Sequence, residues 1–215
     1  MPSRVAHFVF LTSFSMQPIR ILFLIVCVAL SVACVRQPAP DANDVGQPNF
    51  TVSYSVFIAH PSLPEAQQRI WQKGARMRVE TTIEGERSIA LIDHLAKTLY
   101  VYLPESDTAL RPDYSVVSRY PTAWESLQTF FDSYTDVAVA GSELIDGQAV
   151  TRYTHADPNG DVTFWVRDSL GFPVKSEVVT SQGMARTLWQ DLDFNDLPDE
   201  LFSLPTGTRI VPIVE

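Results

Sequence analysis

Histidines and carboxylates are the side chains of this sequence most able to do chemistry, but their spacing does not bring them together. His60, His94 and His155 follow the N-terminal region, each alone in a different turn-rich segment. Asp93 precedes His94 directly, and neighbours on a strand point to opposite faces, so the two do not form a catalytic dyad. The sequence contains no G-x-S-x-G, H-E-x-x-H, C-x-x-C or glycine-rich phosphate loop. We predict solvent-exposed turn histidines and no enzyme activity, with an enzyme of unfamiliar site as the weaker alternative.

Acidic residues gather near the C-terminus. The cluster comprises Asp191, Asp193, Asp196, Asp199 and Glu200. A calcium site needs several converging oxygens, in a loop with glycine at its sharp turn. This segment has no such loop, so it predicts a solvated acidic face, and we expect neither a metal nor another cofactor.

The N-terminal region predicts export. A short polar start with Arg20 leads into an apolar run over residues 21–30, and small residues then precede Cys34. This order of polar, apolar and small-residue regions is that of a secretory signal. The run is shorter than the ~20 apolar residues that a membrane-spanning helix needs. We predict that residues 1–33 are a signal peptide, with Met16 as the alternative start.

Cys34 makes the cleavage site resemble a bacterial lipobox, in which a peptidase cuts before a cysteine that carries diacylglycerol. The resemblance implies lipidation of Cys34, although Ser31 stands where the lipobox usually has leucine. Cleavage by ordinary signal peptidase, which accepts Ser31 and Ala33, and an uncleaved N-terminal anchor are the alternatives. After Cys34, residues up to 48 are rich in Pro, Asp and Asn, so 34–48 are predicted to be the lipidated cysteine and a flexible tether. The mature chain has no second cysteine for a disulfide.

The charge of the chain excludes one class of partner. The chain carries 16 basic and 25 acidic residues. Removal of residues 1–33 takes away Arg4 and Arg20 and no acid, which leaves a net charge of −11. A protein this acidic has no electrostatic footprint for nucleic acid and is not drawn to anionic membranes by charge. Attachment to a membrane is therefore expected through the N-terminal lipid.

The remaining residues, 49–215, have the length of one domain and are dominated by β patterns. Runs of β-branched, aromatic and alternating residues predict strands over 50–59, 68–82, 87–93, 97–103, 114–119, 136–144, 148–155, 162–167, 174–180 and 184–193, with a last apolar piece over 209–214. The second run is interpreted as one long strand broken by Gly74. Glu84–Gly85 and Asp146–Gly147 are hairpin signals. Residues 62–68 are predicted to form at most one helical turn.

One segment changes to helical spacing. Thr122 and Glu125 have the spacing of a capping box. Apolar residues follow at helical intervals: Trp124, Leu127, Phe130, Phe131 and Tyr134. A helix is therefore predicted over 122–133. The fold class is mainly β with one or two helices: a strongly curved antiparallel sheet or unclosed β-barrel covered by a helix.

Several segments of the domain resemble outer-membrane lipoprotein carrier (LolA)-like domains and the related LppX/LprG-type lipoproteins. The first are FTVSYSVFIA, KGARMRVETT and LIDHLAKTLYVYLP; the later and more specific ones are FWVRDSLGFPVKSEVV and DLPDELFSLP. The resemblance covers nearly all of residues 50–210 and implies an unclosed barrel with helices over its open side, enclosing an apolar cavity for acyl chains. Two departures are Cys34, which suggests an anchored rather than a freely shuttling protein, and the shortage of helices.

Strand alternation and the resemblance together predict which residues face that cavity. Alternation through the run around Gly74 places Trp71, Met77 and Val79 on one face. The predicted cavity residues are Trp71, Met77, Val79, Leu99, Val101, Trp124, Leu127, Phe131, Phe164 and Val166. Periodicity by itself does not distinguish a lipid cavity from a filled core.

The sequence thus predicts an exported, membrane-anchored lipoprotein of the cell envelope, facing the periplasm or the cell exterior. Its domain is expected to bind lipid or the acyl chains of lipoproteins without catalysis. The alternative is a non-catalytic interaction or sensor module with a filled core, which binds an envelope protein partner.

Overall fold

The computed structural model describes residues 50–157 and 160–213. The predicted signal peptide, Cys34 and the tether lie outside the described residues. The described chain forms twelve strands: β1 Thr51–His60, β2 Leu63–Lys73, β3 Arg76–Ile83, β4 Glu86–Asp93, β5 Thr98–Leu103, β6 Thr108–Arg111, β7 Ala138–Ile145, β8 Gln148–Asp157, β9 Gly160–Arg167, β10 Phe172–Thr180, β11 Gly183–Asp193 and β12 Arg209–Pro212. One α-helix, α1 (Ala123–Ser133), lies between β6 and β7.

All twelve strands belong to one sheet, in the order β12-β6-β5-β4-β3-β2-β1-β11-β10-β9-β8-β7. Strands β1 to β6 and strands β7 to β11 are two runs of sequential hairpins, and the runs join where β1 pairs with β11. Every pairing is antiparallel except that of β12 with β6, which is parallel. The sheet ends at β12 and β7 and is not closed into a barrel, which confirms the predicted fold class.

Short turns produce these hairpins where the sequence predicts them. Glu84 and Gly85 both have positive φ angles, 52° and 85°, between β3 and β4. Asp146 and Gly147 repeat this at 50° and 74° between β7 and β8. Two consecutive positive φ values match the right-handed twist of the flanking strands, which favours glycine at the second position.

The run over 68–82 is two strands and not one, so that prediction is wrong. Gly74 has a φ of 55° and the chain reverses there, so that β2 pairs back on β3. The reversal places Gln72 opposite Met77 and Trp71 opposite Arg78. Paired residues share a face; Trp71 therefore lies on the face opposite to Met77. The segment 62–68, expected to hold at most a helical turn, belongs mostly to β2.

Two further predictions are corrected after β5. The segment 114–119 is a 3₁₀ helix, and its first turn is capped by Asp113, which accepts a hydrogen bond from the backbone N–H of Ser115 at 2.8 Å. The strand of this region is β6, which the sequence pattern did not reveal because it has only four residues. The last apolar piece does form a strand, β12.

The helix α1 confirms the capping box. The backbone N–H of Glu125 donates to Oγ1 of Thr122 at 3.1 Å, and the N–H of Thr122 donates to Oε2 of Glu125 at 2.7 Å. Two of the four unpaired N–H groups at the helix start are thereby satisfied. The face that α1 buries consists of Ala123, Leu127 and Phe130.

Candidate functional site

The sheet face that contacts α1, called here the inner face, carries the main apolar cluster of the described chain. Strand register arranges its first half in cross-strand rows. The first row is Val52, Gln72, Met77, Ile92 and Leu99, and the second is Tyr54, Ile70, Val79, Ala90 and Val101. Each row crosses five neighbouring strands, β1 to β5. Apart from Gln72, and the hydroxyl of Tyr54, these rows offer only hydrocarbon or thioether surface.

The second half of the inner face is contributed by β9 and β11. Phe164 and Val166 of β9 belong to the same apolar cluster as Met77 and Val79. The ring of Trp189 on β11 is stacked near that of Phe164, with centroids 6.1 Å apart. The two halves therefore form one continuous apolar floor.

The N-terminal end of α1 is fixed to this floor by Tyr54 and aromatic contacts. The hydroxyl oxygen of Tyr54 accepts a hydrogen bond from the backbone N–H of Ala123 at 2.9 Å. Complete burial raises the pKa of the Tyr54 phenol, so it stays neutral. Trp124 contacts Phe50, Tyr54 and Phe172 edge to face, with centroids 5.7, 6.4 and 5.0 Å away.

The C-terminal end of α1 has its own set of ring contacts. Phe130 packs against Phe164 at 4.7 Å between centroids, and Phe131 meets Tyr153 of β8 at 5.1 Å. Tyr134, just after the helix, stacks on His155 at 4.0 Å. Such pairs add about 0.5–1.5 kcal/mol each beyond the area they bury. The helix is thus held at both ends by side chains and not by the backbone hydrogen bonds of the sheet.

His155 differs from its prediction as an exposed turn residue. It lies within β8 with only 8% of its surface exposed, and its Nδ1 is 2.6 Å from Oδ1 of Asp136. His94 lies in a turn and contacts the hydroxyl group of Tyr114 (2.7 Å), whereas His60 is the last residue of β1 and contacts the hydroxyl group of Ser62 (3.1 Å). The three histidines are therefore separate, and each takes part in a local contact.

The structure brings all predicted cavity residues except Trp71 to the inner face or to α1. Met77, Val79, Leu99, Val101, Leu127, Phe164 and Val166 are each at most 7% exposed. Trp124 and Phe131 are half-buried against the same cluster. Residues that line an open, water-filled cavity would be exposed to solvent. This face is therefore closed in the described conformation, by α1 together with Tyr114, Val117 and Tyr120.

Trp71 lies on the outer face, where it is half-buried between two arginines. The guanidinium carbons of Arg69 and Arg78 lie 5.6 and 5.7 Å from its ring centroid. Trp165 has a similar outer position: its Nε1 donates to Glu143 at 2.5 Å, and the ammonium of Lys175 lies 4.0 Å from its ring centroid.

The sequence analysis missed important members of the inner face. The missed residues include Val52, Tyr54, Ile70, Gln72, Phe172 and Trp189. Their signal was present in part, since Val52, Tyr54 and Val56 alternate along the first predicted strand. What was lacking was the register that aligns this strand with β2.

The acidic cluster is exposed, as predicted for a solvated face, and its Asp196 and Asp199 carboxylates also form ion pairs. Asp196 and Asp199 lie 3.2 and 3.1 Å from Nζ of Lys73, and Asp199 also accepts from Arg76 at 2.7 Å. These hydrogen bonds, with that from Arg76 the strongest, lower the pKa of Asp199. Over 50–157 and 160–213, no three His, Cys, Asp or Glu side chains are grouped to hold a metal ion. The cluster therefore joins the C-terminal segment to the outer face.

The inner face continues beyond the helix to the edge of the sheet. Val139 and Leu144 of β7 are 67% and 73% exposed. Val139 pairs with Tyr153. Leu144 lies two positions from Ser142, and Ser142 pairs with Thr151. The side chains of Val139 and Leu144 therefore both point to the inner side. Exposed apolar surface at an unpaired edge strand is an opportunity for contact with a ligand or another chain.

Comparison with known proteins gives matches of fold. No family model and no curated protein matches the chain. Within 50–157 and 160–213, no helix is long and apolar enough to cross a membrane. An uncharacterized conserved protein from Thermus thermophilus has a TM-score of 0.54 at 12% identity, over 80% of this chain and 96% of that one.

Two other solved structures have lower scores. MucB in complex with MucA(peri) gives 0.48 at 12% identity, over 79% of this chain and 59% of that one. Lipoprotein LppX of Mycobacterium tuberculosis gives 0.46 at 14% identity, over 74% of this chain and 94% of that one. At such identities the matches show the fold alone. LppX is thus among the solved structures to which this chain is similar in fold.

Proposed function

We propose that this chain is an exported lipoprotein of the cell envelope, anchored through lipid on Cys34, whose inner face binds acyl chains of a lipid or lipoprotein beneath α1. The observation that carries the proposal is the continuous apolar floor, which α1 and the segment around residues 114–120 cover without a second layer of sheet. Binding requires no bond to be made or broken, and a non-catalytic role remains a prediction.

Access of an acyl chain requires α1 to move, since the floor is closed when the helix is in place. At about 1.5–3 kcal/mol for each buried Leu or Phe side chain, Leu127 and Phe130 hold α1 with roughly 3–6 kcal/mol. An acyl chain of about 16 carbons gains about 12 kcal/mol from burial, at ~0.8 kcal/mol per methylene. Burial of the ligand is thus of the same order as the loss of the helix contacts, to which Trp124, Phe131 and the Tyr54–Ala123 hydrogen bond also contribute.

A binding assay with a mutation on the floor tests this proposal. The soluble chain from residue 35 onward is titrated with a fluorescent fatty-acyl probe, in competition with phospholipid. We expect saturable binding that Val101→Trp weakens at least tenfold, because the indole occupies floor space between Ala90 and Leu110. Val101 is packed in the described conformation, so the same change also costs about 1–3 kcal/mol of stability.

The matched control is Val179→Trp, at a half-exposed position of β10. It adds the same indole and should leave both binding and melting temperature near wild type. Absence of saturable probe binding by the wild-type chain would overturn the proposal.

A second function is favoured by the edge of the sheet. The exposed Val139 and Leu144 and the unpaired side of β7 are suited to a protein segment that adds a strand. In that case a photo-crosslinker at position 144, but not at position 179, captures one envelope protein in intact cells. Capture at both positions or at neither would reject this alternative.

A further inference from the structure

Gln72 is the one polar side chain in the first cross-strand row of the inner face. It lies between Val52 of β1 and Met77 of β3, and Ile70 is the next residue of β2 on the same face. All three neighbours are buried members of the apolar cluster, and Gln72 itself is 5% exposed. An amide is therefore enclosed by hydrocarbon at a position where leucine or methionine would match its surroundings.

Only one end of this amide is satisfied among the described residues. Nε2 donates to the backbone oxygen of Gly74 at 3.4 Å, a long hydrogen bond. Oε1 is shielded from solvent and has no hydrogen-bond partner. Exchanging the two atoms would bring two oxygens together, so the contact with Gly74 fixes the oxygen as the unpaired atom. A buried acceptor without a donor destabilises the fold unless a donor arrives.

We propose that Oε1 of Gln72 is a recognition point for a hydrogen-bond donor carried by the apolar ligand. This inference rests on the proposed function, and it adds the chemical class of the ligand: a long hydrocarbon chain with a hydroxyl or amide N–H group. The apolar rows supply affinity for the hydrocarbon chain of the ligand, but they discriminate only weakly between different hydrocarbon chains. The amide oxygen supplies selectivity, because a ligand without a donor leaves it unpaired.

Phe50 and Trp124 lie at the end of the inner face that is next to the Gln72 amide. The N–H of Gly74, next to the Gln72 amide, donates to the backbone oxygen of Phe50 at 2.7 Å, and the Phe50 ring contacts Trp124 of α1. Displacement of α1 removes Trp124 from this end of the inner face. The donor group of the ligand then enters where the helix starts, and its chain extends along the rows toward Val79 and Val101.

Three probes with the same hydrocarbon length test the inference on the soluble chain from residue 35, which retains every residue of the described core. They are hexadecanol, with a hydroxyl; N-methylpalmitamide, with an amide N–H; and methyl palmitate, with neither donor. We expect at least one donor probe to displace the fluorescent acyl probe at roughly tenfold lower concentration than methyl palmitate, as one hydrogen bond in a dry site allows. Preference for the alcohol indicates a hydroxylated lipid, and preference for the amide indicates an N-acylated chain.

Gln72→Met, which keeps the volume and removes the amide, should equalise the three probes while the affinity for methyl palmitate and the melting temperature are kept or raised. The matched control is Gln68→Met on the same strand and face, since Nε2 of Gln68 already donates to Oγ1 of Thr81 at 3.2 Å. This control should retain the preference for a donor. Gln72→Leu repeats the test with a second apolar shape.

The outcomes separate the inference from the proposed function. Equal affinity of the wild type for all three probes, or a preference that survives Gln72→Met, overturns the role of Gln72 and leaves acyl binding intact. Loss of folding in both Gln72→Met and Gln72→Leu also overturns it, since the amide would then be structural. Binding of no probe at all overturns the proposed function itself.

Discussion

At the scale of single residues, buried polar groups decide how the helix is attached and what the floor can recognise. Tyr54 is fully buried among apolar side chains, yet its hydroxyl meets the first N–H of α1. Gln72 and His155 are likewise polar groups inside the sheet, each with a different local partner. Burial of a polar atom in an apolar region costs free energy unless the atom is hydrogen-bonded. Each of these side chains therefore favours the one arrangement of its neighbours that gives it a partner.

Removal of the Tyr54 hydroxyl should loosen α1 without removing its apolar contacts. Tyr54→Phe leaves the N–H of Ala123 without this acceptor, which costs about 0.5–1.5 kcal/mol. We expect a lower melting temperature together with faster association of the acyl probe, measured by stopped-flow fluorescence. Tyr102→Phe is the control, because its hydroxyl donates to Asp107 at 3.1 Å, away from the helix. Slower or unchanged association in Tyr54→Phe would contradict the displacement of α1.

At the scale of elements, the helix and the C-terminal strap cover opposite faces of the sheet. The strap, defined as residues 197–202, accepts from Lys73 at the oxygen of Leu197 (2.6 Å) and from Arg78 at the oxygen of Leu201 (2.9 Å). Arg76 binds Asp199 and lies over the ring of Phe202. The helix depends on apolar contacts, whereas the strap depends on cations, so the two elements should respond to different changes.

The contacts of α1 predict unequal effects of its two adjacent phenylalanines. The sequence favoured Phe131 as a buried residue, but Phe130 is 4% exposed and Phe131 is only half-buried. Phe130→Ala should therefore cost about 3–5 kcal/mol, and Phe131→Ala clearly less. Loss of the N-cap in Thr122→Ala should cost about 1 kcal/mol. Denaturant unfolding of the three variants measures how much unfolding free energy each one loses. A larger loss for Phe131→Ala than for Phe130→Ala would show that α1 is rotated from the position described.

The strap should respond to acid. The pKa of Asp199 is lower in the folded chain than its unfolded value of about 3.9. Its stabilising effect is therefore complete above that unfolded value and is lost as the pH falls through the lower, folded pKa. Asp199→Asn should reduce the melting temperature at pH 7. The difference in melting temperature between this variant and the wild type should shrink below about pH 4. Glu200→Gln, which changes a neighbour without an ion pair among the described residues, should show no such trend.

At the scale of the whole molecule, the predicted anchor would place the domain close to a membrane. The predicted tether, residues 34–48, would reach about 20 Å on average if it behaves as a random coil. An acidic domain held at this distance would be attached by its lipid and not by its charge. A binding face for acyl chains would then work beside the bilayer that contains them.

The anchor prediction is tested by labelling. Wild-type chain should incorporate radiolabelled palmitate and sediment with membranes, because lipid on Cys34 replaces a spanning segment. Cys34→Ser should be unlabelled and soluble, while a chain with Cys27→Ser, altered within the apolar run, should still be labelled. An unlabelled wild-type protein would exclude lipidation.

The sequence by itself determined most elements of this protein: nine of the twelve strands in outline, the helix with its capping box, and the hairpins at Glu84–Gly85 and Asp146–Gly147. These features depend on neighbouring residues, so local patterns are enough to predict them. Only the tertiary structure decided which residues face one another. The reversal at Gly74 moved Trp71 to the outer face and Gln72 to the inner one, because a strand has a period of two and a single turn changes the phase. Burial of His155 and closure of the floor by α1 likewise depend on contacts between residues distant in the chain, which no local pattern contains.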